Sequence, residues 1–217
     1  MKLSILILTH NRPKLFKRCI KSVLANIPDF PVEIIVNNDS NDITEIYSDV
    51  VTVSYHYKKH KMLTDTYKFL YNKSQGDFIF YLEDDDYIKP DFFKFLDFNY
   101  DINFINYISE DVLSKAKNKE LYYKRFFTKN KHLKNNNDLK MFIQQYNPTD
   151  FQFSQIVFKK EGIKYWPTED NIHNDYKIFK SLDLDTIMYI SKPLWVQTTD
   201  GKDNISFKQF NIDARFK

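Results

Sequence analysis

Glycine is nearly missing from this chain, with three among 217 residues. A loop that cradles phosphate with the backbone N–H groups of several glycines is therefore absent near the N-terminus, and with it the usual phosphate loop of a nucleotidyltransferase. Cysteine occurs once, as Cys19. No internal disulfide can form, which suits a reducing compartment. Cys19 falls at an apolar helical position and reads as a small core residue rather than a nucleophile. No apolar run approaches the ~20 residues of a membrane span. The run at residues 3–8 is too short for a secretory signal, and no small-residue cleavage site follows it. The expectation is a cytosolic protein, at most peripheral to a membrane. A large charge of one sign is lacking too: the formal net charge is +3, so the whole molecule is not a polycation.

What is present suits a packed globule. Hydrophobic residues make up 42% and charged ones 28%, which a single domain of this length accommodates. Lys, Asn, Ile, Phe and Tyr are abundant, as AT-rich coding produces, and this points to a low-GC bacterium, a phage or another virus.

Apolar strands alternate with helical patterns through the first half, which predicts an α/β sheet with parallel strands. Residues 3–8 form a continuous apolar run, expected of a strand buried on both faces. Leu15, Phe16, Cys19, Ile20, Val23 and Leu24 then recur at helical spacing, with Asn11 and Pro13 where a helix starts. Further strands are expected at residues 32–36, 50–57 and 78–82, with a helix at 62–72. In the second half the pattern predicts helices at 90–98 and 175–182, and strands at 102–108, 156–158 and 186–190. No internal repeat or domain boundary is visible.

In an open parallel sheet, ligands bind beyond the carboxyl ends of the strands. Polar clusters follow the first, second and fourth strands: Thr9-His10-Asn11-Arg12, residues 37–42, and Glu83-Asp84-Asp85-Asp86. Consecutive carboxylates repel one another unless a cation neutralises them, and hard oxygen ligands suit Mg²⁺ or Mn²⁺. A solvated acidic turn is the plain alternative, which a position directly after a buried strand disfavours.

These segments resemble the family 2 glycosyltransferases of GT-A fold. Residues 4–12 look like that family's first strand and T-x-N-R loop. Residues 32–42 are similar to its E-I-I-V-V-D-D-G-S-x-D element, and Gly76 to Asp86 to G-E-Y-I-x-F-L-D-x-D-D. The resemblance implies a GT-A-like (Rossmann-like) single domain over residues 1–217, with a mixed, mostly parallel central sheet flanked by helices. It places nucleotide-sugar and metal binding in residues 1–110, and acceptor binding and the catalytic base in 111–217.

Residue by residue, the resemblance makes Asp85 the carboxylate that holds Mn²⁺ or Mg²⁺ on the donor diphosphate. Glu83 and Asp84 would touch the ribose and the sugar or metal, and Thr9, Asn11, Arg12, Asn38, Asp39 and Asp65 complete the donor site. Asn38 departs from the family's base-binding Asp: an amide both accepts and donates, which leaves the base open. His60 to Asp65 stands where the family tends to be rich in Gly and Asn.

Inverting transfer needs a general base near the acceptor hydroxyl. Residues 174–182 look like the family's E-D-x-x-L-x-x-R-L element, which favours Asp175, with Asp170 as the rival; an ordinary helix N-cap is the structural alternative. Residues 190–195 and 204–206 resemble the closing segments, although the histidine often found between them is absent, and Lys202 could face the diphosphate instead.

The stretch 115–140 holds nine Lys or Arg against two acids, with Tyr122, Tyr123, Phe126 and Phe127 interleaved. It could grip a polyanion or an anionic membrane, or be a solvated insertion. The expected function is transfer of a sugar from a nucleoside-diphosphate sugar, UDP-linked by preference, to an acceptor glycan, a lipid-linked sugar or hydroxymethylated phage DNA. A nucleotidyltransferase and a non-catalytic nucleotide-binding module are the other classes.

Overall fold

In the computed structural model of the chain, the structure describes residues 1–40, 45–110, 121–124, 131–133, 152–169, 171 and 173–198. Strand β1, Leu3–Thr9, runs up the middle of a parallel unit and pairs with β2, Val32–Asn38, on one side and β4, Phe78–Glu83, on the other. β3, Thr52–His56, extends β2 at the edge. Beyond β4 the sheet turns mixed: β9, Ile156–Lys159, lies antiparallel between β4 and β6, Ile102–Glu110. The final strand β10, Ile187–Thr198, is parallel to β6 and antiparallel to the short β5, Tyr87–Ile88. Two further pieces pair antiparallel at this end, β7, Leu121–Lys124, on β6 and β8, Lys131–Leu133, on β10.

The period-two alternation of strands sends side chains to two cores, one on each face. Leu3, Ile5 and Ile7 of β1, with Phe78, Phe80 and Leu82 of β4, join the core under helix α1, Pro13–Leu24. Leu6, Ile79 and Tyr81 join the opposite core, under helix α2, Leu63–Lys73, and helix α3, Asn174–Lys180. This alternation puts Glu83, two residues beyond Tyr81, on the α2 face.

Helix α1 starts with Pro13 in its first turn, where the missing N–H has no intrahelical partner to lose. Phe16, Cys19, Ile20 and Val23 are buried at helical spacing. Truncating Phe16 to Ala costs about 3–5 kcal/mol at such a site. The turn into the helix passes through Asn11 at φ 52°, a left-handed conformation that Asn tolerates better than most residues. Gly76 is required by a close approach: a Cβ there would meet the Ser4 Oγ at 2.5 Å and its backbone N at 2.6 Å.

The structure corrects the expectations in the second half. Residues 90–98 form no α-helix; a single 3₁₀ turn spans Phe92–Phe95. Asp91 at φ 68° breaks the start, and Phe92 and Phe93 turn inward against Phe80 and Phe30, leaving no polar face for a longer helix. The last strand continues past residue 190 to Thr198, because register shifts on either side of Pro193 absorb the residue that cannot donate to the ladder. Strand β5 carried no sequence signal. No helix among the described residues is long and apolar enough to cross a membrane.

Candidate functional site

The polar clusters meet at one rim because the strands are in register. Leu8 pairs with Asn37 of β2 and with Glu83 of β4, and Thr9 pairs with Asn38. The loops leaving these strands are then neighbours. The Asp39 N–H donates to the Thr9 carbonyl at 3.3 Å, and the Asn11 N–H donates to the Ser40 Oγ at 2.8 Å.

Asn38 is buried, and Ser40 occupies its amide on both sides. Its Oδ1 accepts from the Ser40 N–H at 3.0 Å and hydroxyl at 2.8 Å, and its Nδ2 donates to the Ser40 carbonyl at 2.9 Å. The side chain therefore shapes the turn from below. What faces outward is Asp39, paired with the His10 Nδ1; their side chains are 27% and 57% exposed. The Asn11 Nδ2 lies 2.9 Å from the His10 Nε2. Asp65, in the first turn of α2, completes this corner: it acts with Asp39 to raise the His60 imidazolium, against burial and Lys58, which together hold His60 below its ordinary range.

The acidic run is folded into a turn, with the Asp86 N–H donating to the Glu83 carbonyl at 3.1 Å. That turn separates the carboxylates. Oxygens of Glu83, Asp85 and Asp86 lie within 4.8 Å of one another, while Asp84 turns to Arg12. The Arg12 guanidinium bridges Asp84 at 3.1 Å and Asp85 at 3.0 Å. Arg18 and the Thr198 hydroxyl both donate to the Asp85 carbonyl, and the Thr198 N–H donates to the Asp86 Oδ1 at 3.1 Å. The end of β10 is thus fastened to the acidic turn.

The electrostatics of this turn are those of an incomplete site. Burial, reinforced by Asp85 and Asp175, pushes the Glu83 carboxyl up to about 8. Burial and the charges of Asp85 and Glu83 raise Asp86 well above the carboxylate range. Burial raises Asp84 as well, against the pull of Arg12. The Asp86 Oδ2 is buried and finds no hydrogen-bond partner among the described residues. Three clustered hard oxygens, one orphaned buried acceptor and strong mutual repulsion fit a divalent cation such as Mg²⁺ or Mn²⁺. Asp85 and Glu83 lie together in this cluster, and Asp86 is a member that the sequence did not single out.

Across the rim, Tyr67 of α2 donates to the Glu83 Oε1 at 3.1 Å. The charges of Glu83 and Asp175 both act on Tyr67, and the charge of Asp175 acts on Glu83. Asp175 is half-buried in the first turn of α3, and burial pushes its carboxyl up to about 7. Its Oδ1 accepts from the Tyr176 N–H at 2.8 Å. Arg18, Tyr67 and Thr198 had no role in the sequence reading, because only the tertiary fold brings them here, and His10 stood there only as a member of the polar cluster after β1. Asp170, Lys202 and most of residues 115–140 lie outside the described residues.

Comparison with known structures follows the same lines. Residues 1–349 of S. aureus TarS superpose with a TM-score of 0.66 at 17% identity, covering 91% of this chain and 60% of that one. The same piece in complex with UDP-GlcNAc gives 0.65 at 16% identity, over 95% of this chain and 61% of that one. Its complex with UDP gives 0.62 at 16% identity, over 92% and 61%. This chain thus spans about three fifths of those TarS pieces and 37% of the longer TarS chain, and at such identity the likeness establishes a shared fold. No curated protein sequence matches it. Residues 4–166, well over half of the chain, match the family described as glycosyl transferase family 2, and the chain belongs to that family.

Proposed function

We propose that the chain is a metal-dependent, inverting glycosyltransferase that takes a sugar from a nucleoside-diphosphate donor. The observation that carries this is the clustering of Glu83, Asp85 and Asp86 at the strand-end rim, with α2 bonded to Glu83 through Tyr67 and, through Thr64, to the helix that bears Asp175. A carboxyl held near neutrality and a cluster suited to a divalent cation are the two groups such a transfer needs.

Asp85, with Glu83 and Asp86, would hold the Mn²⁺ or Mg²⁺; when bound, the cation neutralises the negative charge on the departing diphosphate. Asp39, His10, Asn11 and Asp65 wall the corner for the nucleoside, over a turn that Thr9 and Asn38 shape. Arg12, bridging Asp84 and Asp85, links that corner to the acidic turn; it would meet the diphosphate, and Asp84 the ribose or sugar. Asp175 takes the proton of the acceptor hydroxyl as its oxygen bonds to the anomeric carbon. The bond from that carbon to the diphosphate oxygen breaks, and the nucleoside diphosphate leaves with the electron pair. Asp170 is the alternative base. TarS was crystallised with UDP and with UDP-GlcNAc, which makes UDP-GlcNAc the first donor to try.

The test is a thermal-shift panel of UDP, GDP, CDP and TDP, each with and without Mn²⁺, on the natural protein and on Asp85→Asn. A ligand that binds only the folded state raises its stability by mass action. A shift with one nucleotide that requires Mn²⁺ and disappears in Asp85→Asn is expected. No shift with any nucleotide would overturn the proposal in favour of a module that does not bind nucleotides.

A further inference from the structure

Asn174 precedes Asp175, and Thr64 precedes Asp65. The Asn174 Nδ2 donates to the Thr64 Oγ1 at 2.9 Å and to the Glu169 carbonyl at 2.7 Å. Both residues are buried, at 5% and 2% exposure. This hydrogen bond joins the first turn of α3, with the proposed base, to the first turn of α2, with a proposed donor residue. Three residues on from Thr64, on the same face of α2, Tyr67 reaches Glu83. One helical turn of α2 therefore touches the acidic turn and the base-bearing helix at once.

Core packing seats α3 through Tyr176, Ile178 and Phe179. The Asn174 bond ties its first turn to α2. His173, at the N-cap, makes no side-chain cap bond. Successive residues of a helix point about 100° apart, so a bond that fixes Asn174 inward toward α2 also fixes the direction of Asp175. The Asn174 Oδ1 is buried with no hydrogen-bond partner among the described residues. That oxygen carries a desolvation cost, while the amide nitrogen makes two bonds. A carboxylate at this position could not donate to either oxygen.

We infer that Asn174 and Thr64 form a positioning pair that aims the Asp175 carboxyl at the acceptor hydroxyl. This deepens the proposed function and rests on Asp175 being its base. Asn174 and Thr64 touch no substrate; they act through Asp175.

The experiment compares Thr64→Val, Thr64→Ser and Asn174→Ala with the natural protein and with Asp175→Asn. Release of UDP from UDP-GlcNAc with Mn²⁺ is followed, together with Mn²⁺–UDP affinity and the ¹³C carboxyl resonance of Asp175. Thr64→Val and Asn174→Ala are expected to lower kcat about 10- to 100-fold, the effect of misplacing a catalytic group by about 1 Å. Affinity for Mn²⁺–UDP should stay within about 2-fold in both variants, and Thr64→Ser should recover most of the rate lost in Thr64→Val. The Asp175 resonance, which needs no substrate, should move in Thr64→Val and Asn174→Ala and return in Thr64→Ser. An unmoved resonance in folded Thr64→Val and Asn174→Ala overturns the inference, whatever donor the protein uses. Equal falls of stability and nucleotide affinity with kcat intact would mean a structural tie only, and overturn it as well. Full UDP release by Asp175→Asn would instead sink the choice of base.

Discussion

The sheet carries buried acids at both of its ends, and they are handled in opposite ways. At the lower end, Glu33 accepts from Lys2 Nζ at 2.6 Å, from the Gln75 N–H at 2.6 Å and from the Ser4 hydroxyl. Burial tends to raise its carboxyl, but the bonds from Lys2, Ser4 and Gln75 outweigh it and the group sits below its ordinary range. At the upper end, Glu83 and Asp86 are raised by burial and by one another. A buried acid that the fold fully satisfies serves stability. In the proposed reading, a cluster that the fold leaves repelling is where a cation would sit.

The contrast breaks most visibly at Asp85. Asp85→Asn should abolish Mn²⁺-dependent nucleotide binding and reduce transfer below detection, with Mn²⁺ titration in the thermal-shift assay as the check, whereas Glu33→Gln should leave that binding unchanged. Asp175→Asn should lower turnover about 10²- to 10⁴-fold while nucleotide affinity survives, as measured by single-turnover transfer beside calorimetric binding.

The Asp175 carboxyl near 7 gives a pH dependence of defined sign. As a base it must be ionised, so kcat/KM should rise with pH through about 7. For stability the sign is reversed. A carboxyl raised in the folded state binds its proton more tightly there than in the unfolded chain. Its contribution is therefore favourable at low pH and is lost as pH climbs from the ordinary Asp range to about 7. Urea unfolding of the metal-free protein should show this decline, and Asp175→Asn should make it shallower, with the share owed to Glu83 remaining. Glu33, being lowered, contributes stability that is present above its unfolded value and is lost as pH falls.

Smaller effects sharpen the comparison. Glu33→Gln should cost about 1–3 kcal/mol in urea unfolding, since hydrogen bonds to a charged group are lost, with turnover per folded molecule intact. Asp86→Asn should go the other way, raising metal-free stability by about 0.5–2 kcal/mol while weakening Mn²⁺ binding. A loss of stability in Asp86→Asn would show that the upper cluster is satisfied after all.

Much of this site is legible in the chain itself. The apolar runs of β1, β2 and β4 break abruptly into polar residues, and such runs in a parallel sheet place those breaks at one edge. The motifs at those breaks and at the start of α3 lead to Asp85 and Asp175. Which carboxylates cluster is not legible, because four acids in a row do not reveal the turn that joins Glu83 to Asp86 and sends Asp84 to Arg12. The turn of Asn38 onto Ser40 is a local competition that Asn invites, so its signal is present in the pair itself. Tyr67, Arg18 and Thr198 come from helices and a strand far from the acidic run in sequence, and no spacing rule links them to it. Residues 90–98 mislead because their apolar spacing suits a helix, while nothing in the spacing betrays the left-handed Asp91.

The fastening of Thr198 to Asp85 and Asp86 has a consequence for how the protein is made. A ribosome delivers the acidic turn more than a hundred residues before the threonine that ties it down. Until then Asp86 lacks its backbone donor, and the edge of β4 stays open until β9 is made. The nascent chain thus carries this acidic turn unfastened until β10 has been made.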